Sequence, residues 1–323
     1  MTDDSSREAP DAVRDAVDKS QSGAPAGGAT VRDRFSTYEV FQRIVVAADD
    51  EVTSGRRELF FSGLAAGFAI TITFLLYASV TAATAGDPIL SQLLYPLGFI
   101  YIIIGGYQLY TENTLPPVAL VLERLVSIPK LLTKWLTVLA GNFTGGALGA
   151  FALASTGVFS PTTTDAATML AQTGVRTPWM ALFFKAVFAG LIVAGVVWVD
   201  YASRDTTARL IVIYLAFFAI PLGDLYHVVV SFTEVVYLVL LGDLALATGL
   251  VEFVLPVLLG NTVGGVVLVT AVNYFQTTED RLQSARFRGP ERQLSVRECF
   301  FGGVAGRSYV PVTGDQSPAE NHD

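Results

Sequence analysis

The sequence predicts an all-α polytopic membrane protein of about six spans, arranged as two oppositely oriented halves of three spans each. Three observations predict it. Hydrophobic residues make up 52% of the 323-residue chain and charged ones only 15%, with a mean hydropathy of +0.50. That is too little charge to keep a soluble domain of this size solvated. Several windows stay apolar over about 20 residues, the length that crosses a hydrocarbon core. Finally, a Gly-Asn cluster occurs twice, as Gly141-Asn142-Phe143-Thr144-Gly145-Gly146 and Gly260-Asn261-Thr262-Val263-Gly264-Gly265. Each copy follows an apolar stretch interrupted by polar residues and proline, and such repetition marks internal symmetry with a polar site where the repeats meet.

The expected spans cover residues 59–83, 93–110, 131–156, 180–199, 211–241 with a break inside, and 251–275. Residues 118–128 are too short and too charged to span alone, and read as the second half of a broken helix turning along the surface. Nineteen of the 21 basic residues fall in the termini and the even-numbered connections. The positive-inside rule then places both termini in the cytoplasm, in a multi-pass protein of the cell (plasma or inner) membrane. The first fifty residues lack an apolar core segment, so no cleavable signal is expected. Three spans per half is an odd number, which forces the halves to run in opposite senses.

Four regions follow. Residues 1–35, rich in Asp, Ser, Gly and Ala, read as a disordered acidic tail. Residues 36–57 place Tyr38, Phe41, Ile44 and Val45 on one helical face and predict an amphipathic helix at the bilayer interface. Residues 58–278 form the transport domain, with repeats at about 59–156 and 178–276, and residues 279–323 form a second cytoplasmic tail. The single cysteine, Cys299, excludes an intrachain disulfide and reads as incidental.

The interruptions carry the chemistry. The first is Thr111-Glu112-Asn113-Thr114-Leu115-Pro116-Pro117 and the second Pro221-Leu222-Gly223-Asp224-Leu225-Tyr226-His227. Proline removes backbone donors and ends regular helix, and the freed peptide groups must line a cavity or be buried in protein. Thr111 and His227 should approach the midplane from opposite sides. His227 is the only histidine apart from His322 near the chain end, and an ionisable group at a helix break in a span points to function. Asn142 and Asn261 have two open roles, clamps between helices or contacts to a permeant species. Glu112, Asp224 and Glu234 either oppose a bare anion or pair with Lys185 or with backbone amides. Glu234 lies two helical turns from His227 on the same face. Lys185 either snorkels and draws anions inward or bridges two helices.

These residues resemble the formate/nitrite transporter family. The resemblance rests on Leu109-Tyr110-Thr111 at the first break, Asn142 and Asn261 in Gly-rich helices, and Tyr226-His227 at the second break, in order across about residues 59–276. The run Gln108-Leu109-Tyr110-Thr111-Glu112-Asn113, with Ser231 and Glu234 after His227, looks closest to a less characterised branch. The resemblance implies an aquaporin-like fold with broken second and fifth spans, a homopentamer with a pore in each protomer, and a small monovalent anion or weak acid as cargo. It implies that Thr111 and His227 face each other in the pore, lined further by Asn142 and Asn261, with Leu109 at one apolar constriction and Phe218 or Ile220 at the other. Two departures stand out: Gly190 replaces a common asparagine in the fourth span, and Tyr226 replaces a common glutamate.

The function expected is passage of a formate- or nitrite-like weak-acid anion through the bilayer, proton-coupled through His227. The carboxylates Glu112 and Asp224 keep open a channel for a small neutral solute, such as hydrogen sulfide, water or ammonia, on the same fold. An enzyme is not expected, since the sequence offers no nucleophile–base pair. No cofactor is implied. No His/Cys cluster suggests a metal, no Walker-type loop suggests ATP, and no basic patch suggests nucleic acid.

Overall fold

The computed structural model describes residue 35 and residues 37–276, 291–292, 294–302 and 310–311. The expected tails, residues 1–35 and 279–323, lie mostly outside the described residues. Helices carry the chain: α1 (Thr37–Thr53), α2 (Arg56–Ala83), α3 (Pro96–Gly105), α4 (Pro116–Leu122), α5 (Ile128–Ser155), α6 (Pro161–Arg176), α7 (Trp179–Ala202), α8 (Thr206–Leu222), α9 (Val228–Leu241), α10 (Leu246–Phe275) and α11 (Val296–Phe301).

Among the described residues, α2, α5, α7 and α10 are each long and apolar enough to cross a membrane. The remaining apolar helices are shorter and come as interrupted runs. α3 has ten residues, about 15 Å at 1.5 Å per residue, or half a hydrocarbon core. α8 and α9 have 17 and 14 residues on either side of the second interruption. Helix starts carry their own caps. Ser127, Ser160 and Asp205 accept hydrogen bonds from the backbone N–H of Lys130, Thr163 and Ala208, and Pro129 and Pro161 sit in the first turns where no donor is needed.

α2 lies along α5, and α7 lies along α10. Glycine sets both approaches. A Cβ on Gly145 would strike the Leu64 carbonyl, and one on Gly264 would strike the Val187 carbonyl. The Gly-Asn clusters thus do what small residues do between membrane helices, letting backbones meet. α10 loosens into π-helical turns at Gly249–Val254 and Gly264–Ala271, and in the second of these Thr270 reaches the Thr114 carbonyl at 3.0 Å. Large apolar side chains such as Phe61, Leu136, Phe151, Phe184 and Phe188 remain more than half exposed, an outer surface suited to lipid or to a neighbouring subunit.

Two details differ from the sequence expectation. The breaks are not made where the prolines stand. Gly106, at φ 68°, ends α3, and Pro116 and Pro117 begin α4, because a missing N–H is harmless in a first turn. Pro221 lies inside the last turn of α8, and the chain turns at Asp224, at φ 52°. The stripe of α1 is also not left open. Phe41, Ile44 and Val45 are buried against Leu115, Ala119 and Leu120 around α4 and Ala194 and Val197 of α7. Lys134 secures the end of α1, its Nζ donating to the carbonyls of Glu51 and Ser54 at 2.6 and 2.8 Å. Cys299 on α11 is buried, with Sγ 3.9 Å from the carbonyls of Val121 and Val126.

Candidate functional site

The two interruptions leave peptide groups that no helix satisfies, and an asparagine meets each set. Asn142 Oδ1 accepts from Tyr110 N at 2.9 Å, while its Nδ2 donates to the carbonyls of Gly63 and Gln108 at 2.8 and 2.9 Å. Asn261 Oδ1 accepts from Val228 N at 2.9 Å, and its Nδ2 donates to the carbonyls of Ala186 and Tyr226 at 2.9 and 3.0 Å. The two patterns match bond for bond. Both amides are fully buried and both their donors are used, so the asparagines serve as clamps. The residue held between the two clamped peptides is Leu109 at one break and His227 at the other.

The first break gains further support. Trp135 Nε1 donates to the Asn113 carbonyl at 2.9 Å, Thr114 Oγ1 to the Thr111 carbonyl at 2.7 Å, and Asn113 Nδ2 to the Leu109 carbonyl at 2.9 Å. Non-helical backbone at membrane depth requires such partners. With the backbone fixed on both sides, Thr111 Oγ1 stands 2.7 Å from His227 Nε2. Each residue is 1% exposed. The Phe99 ring meets the imidazole edge-on at 5.0 Å, and Phe217 stacks on Phe99 at 4.0 Å.

A cavity borders each break. One, of about 90 Å³, is bounded by Tyr77, Tyr95, Asp224, Tyr226, His227, Ser231 and Glu234. The other, of about 110 Å³, is bounded by Glu51, Gln108, Glu112, Asn113, Asp200 and Tyr201. His227 bounds the first, and Glu112, next to Thr111, bounds the second. Neither lining contains lysine or arginine. Asp224 is held by Lys185, and Asp200 by Arg209 at 2.5 and 2.9 Å. Several buried polar atoms have no hydrogen-bond partner: His227 Nδ1, Ser231 Oγ, Glu112 Oε1 and Glu51 Oε2. Glu51, on α1, is pushed up to about 7 by burial, with Lys134 opposing the shift.

The profile of the formate/nitrite transporter family matches residues 38–275. The chain belongs to the formate/nitrite transporter family. It is 29% identical over 263 residues to the inner membrane protein YfdC of Escherichia coli K12, covering 80% of this chain and 84% of that one. It is 27% identical over 252 residues to the formate channel FocA of Haemophilus influenzae, covering 68% and 86%. Among solved structures, an FNT family ion channel superposes at TM-score 0.68 with 19% identity, covering 74% of this chain and 99% of that one. A pentameric formate channel with formate bound superposes at 0.58 with 22% identity, covering 68% and 97%. These likenesses give this member of the family the all-helical fold of the two solved channels.

Within that fold, the sequence-predicted residues separate. Thr111 and His227 come together, and Leu109 is buried beside them in the same core cluster as Ile220. Asn142 and Asn261, expected to line the pore, bound neither cavity. Phe218 is displaced from its expected place: it stacks on Tyr214, whose hydroxyl donates to the Leu93 carbonyl. The aromatic next to the histidine is Phe99, backed by Phe217. Lys185 pairs with Asp224 and stands 5.8 Å from the Tyr226 ring. Gly190 packs on the Asn261 backbone so closely that a Cβ would strike it, leaving no room for a side chain in this arrangement. Sequence reasoning missed Tyr77 of α2, Tyr95 and Phe99 at and within the start of α3, Glu51 of α1 and Asp200 of α7, which carry no local motif.

Proposed function

We propose that this protein passes a small monovalent weak-acid anion of the formate or nitrite kind across the cell membrane, with proton coupling through His227. The observation that carries this reading is the Thr111–His227 hydrogen bond, with His227 bounding one cavity and Glu112, the neighbour of Thr111, bounding the other. In this reading six spans form two inverted halves, α2–α5 and α7–α10, with both termini cytoplasmic. The transport domain covers residues 58–278, between tails at 1–35 and 279–323. α1, within residues 36–57, packs on the cytoplasmic end. Assembly as a homopentamer is supported by the pentameric formate channel with the same fold.

The cargo would enter one cavity, shed its water at the apolar ring of Leu109 and Phe99, and take the hydrogen bonds that Thr111 and His227 now spend on each other. Desolvating a charge is costly unless donors replace the lost water. An imidazole proton given to the carboxylate converts it to a neutral acid, which crosses apolar surroundings far more readily. Asn142 and Asn261 hold the two breaks in register, and Lys185, Glu112, Asp224 and Glu234 set the local field.

The carboxylates that line both cavities, where the described linings include no lysine or arginine, favour a second reading, a neutral solute such as hydrogen sulfide, water or ammonia. One experiment separates the two. Proteoliposomes are given formate, nitrite, acetate, lactate, hydrosulfide and glycerol in turn, at several pH values and membrane potentials. Formate or nitrite uptake that rises with a proton gradient supports the first reading. Saturating flux of neutral solutes alone, indifferent to pH and potential, would replace it with the second.

A further inference from the structure

The cavity at the α8–α9 break holds polar groups that the Thr111–His227 pair does not use. His227, at the N-cap position of α9, bounds this cavity; its Nε2 is taken by Thr111, and among the described residues its buried Nδ1 has no partner. Ser231 follows four residues later, is 1% exposed, and its Oγ also lacks a partner. Glu234 follows three residues after that and is 6% exposed, with no hydrogen bond or ion pair to its carboxyl among the described contacts. Positions i, i+4 and i+7 fall on one face of a helix. All three residues bound the same cavity of about 90 Å³, enough for several waters at roughly 30 Å³ each.

Two buried hydrogen-bonding atoms left open on one face are unusual, because buried polar groups are ordinarily paired. Here they form a row from the cavity to the central imidazole. The groups facing Glu234 are few. α2 contributes Tyr77, the turn before α3 contributes Tyr95, and the break contributes Asp224 and Tyr226. Asp224 is occupied by Lys185 of α7. α6 brings only Leu170 and Thr173 to this cavity, and α5 packs on α9 through Phe143 and Gly146, which do not titrate. Glu252 on α10 is exposed. Among the described residues, Glu234 is therefore the one carboxyl of this cavity without a cationic partner.

We propose that Glu234 is the proton-loading residue of this pore, and that Ser231 relays its proton to Nδ1 of His227. This inference rests on the proposed passage of a weak acid. In the forward step water in the cavity bridges the gaps: the Glu234 carboxyl O–H bond breaks and its proton passes through water to Ser231 Oγ, as the Ser231 hydroxyl proton passes through water to Nδ1. A carboxylate and an imidazolium result. The Nε2 proton then leaves for the cargo carboxylate once Thr111 has turned away, which returns a neutral imidazole and a neutral acid. A proton from the solution on that side, carried in by water of the cavity, returns Glu234 to its protonated form, and one proton has moved with each cargo molecule.

The test uses the full-length protein in proteoliposomes of one fixed orientation, with formate or nitrite uptake followed while the pH on each side is varied separately. Wild type, Glu234→Gln, Glu234→Asp and Ser231→Ala are compared. The expected result is that Glu234→Gln lowers uptake about 10²-fold, the scale of losing a positioned proton donor, and abolishes the response to pH on the Glu234 side alone. Glu234→Asp restores that response, and Ser231→Ala lies between. Overturning results are an unchanged sided pH profile in Glu234→Gln and Ser231→Ala, or an equal loss of response on both sides, which marks a structural role. Should Glu234→Gln fail to fold, the Glu234→Asp and Ser231→Ala profiles decide by the same criteria. Wild type that carries neither formate nor nitrite refutes the proposed function itself, a result distinct from wild type that carries either one with variants that match it.

Discussion

The hydroxyl of Thr111 and Nε2 of His227, 116 residues apart in the chain, stand 2.7 Å apart. Neither reaches the other through its own helix. Each is placed by an interruption whose backbone is tied to a buried asparagine, so the contact depends on both clamps. The polar centre of the protein is a bond between two irregular segments, closed on each side by apolar side chains.

Substituting Thr111 tests that bond from its simpler partner. Thr111→Val keeps the shape and removes the hydroxyl, leaving Nε2 buried without a partner. An unpaired buried polar group costs about 1–3 kcal/mol, so the purified protein melts lower. Formate flux falls at least tenfold (about 1.4 kcal/mol of barrier) in a stopped-flow uptake assay. Thr111→Ser retains both. Equal flux in Thr111→Val and wild type would remove the hydroxyl from the path.

The asparagines predict equal damage at two distant sites. Asn142→Ala orphans the Tyr110 N–H, and Asn261→Ala orphans the Val228 N–H. Each loses three hydrogen bonds at once, for about 3 kcal/mol or more. Thermal unfolding in detergent should show falls of similar size, because the bonds correspond one to one. A clear fall for one variant and none for the other would break the equivalence.

Glu51 makes a prediction about pH. Its carboxyl is raised from 4.5 to about 7 by burial, so between these values the folded protein holds a proton that the unfolded chain has released. Stability from this group is therefore present below about 4.5 and is lost as pH rises through about 7. Wild-type melting temperature should fall between pH 5 and 8 relative to Glu51→Gln, whose profile lacks this component. Parallel profiles for the two proteins would show that Glu51 does not titrate in this window.

Gly264 tests the approach of α7 to α10. Gly264→Val places a branched side chain where the Val187 carbonyl lies, forcing the helices apart and moving Asn261, three residues away. Expression of folded protein should collapse, while Gly195→Ala, at a glycine with open space around it, is tolerated. Size-exclusion profiles of the two variants give the comparison directly.

Much of this was legible in the sequence, for a physical reason. Spans, breaks and the Gly-Asn clusters are local patterns, and composition alone separates hydrocarbon-facing helix from interruption. Thr111 and His227 could be singled out because each is a polar residue at a break in an apolar run. The placement of α1 was not legible. Its stripe has the same period whether it faces lipid or the surface around α4, and only the fold shows Phe41 and Ile44 covered. The proline assignment failed because proline suits the start of a helix as well as its end. Of the two positions offered, Ile220 is buried in the cluster that holds Leu109, while Phe218 stacks on Tyr214; the ring behind Phe99 is Phe217, one residue earlier and turned by about 100° on the helix. Two cavity carboxyls, Glu51 and Asp200, come from α1 and α7, far in sequence from the first break, so no window around that break could gather them.

Proton-gradient-driven formate uptake into proteoliposomes, compared between wild type and His227→Ala at matched protein content, tests the central claim most directly. The account predicts saturable uptake in wild type that rises as the outside is acidified, and a loss of at least tenfold (about 1.4 kcal/mol of barrier) in His227→Ala, with the variant still folded. Uptake in His227→Ala equal to wild type at every pH would contradict it, because the imidazole would then take no part in passage between the two cavities.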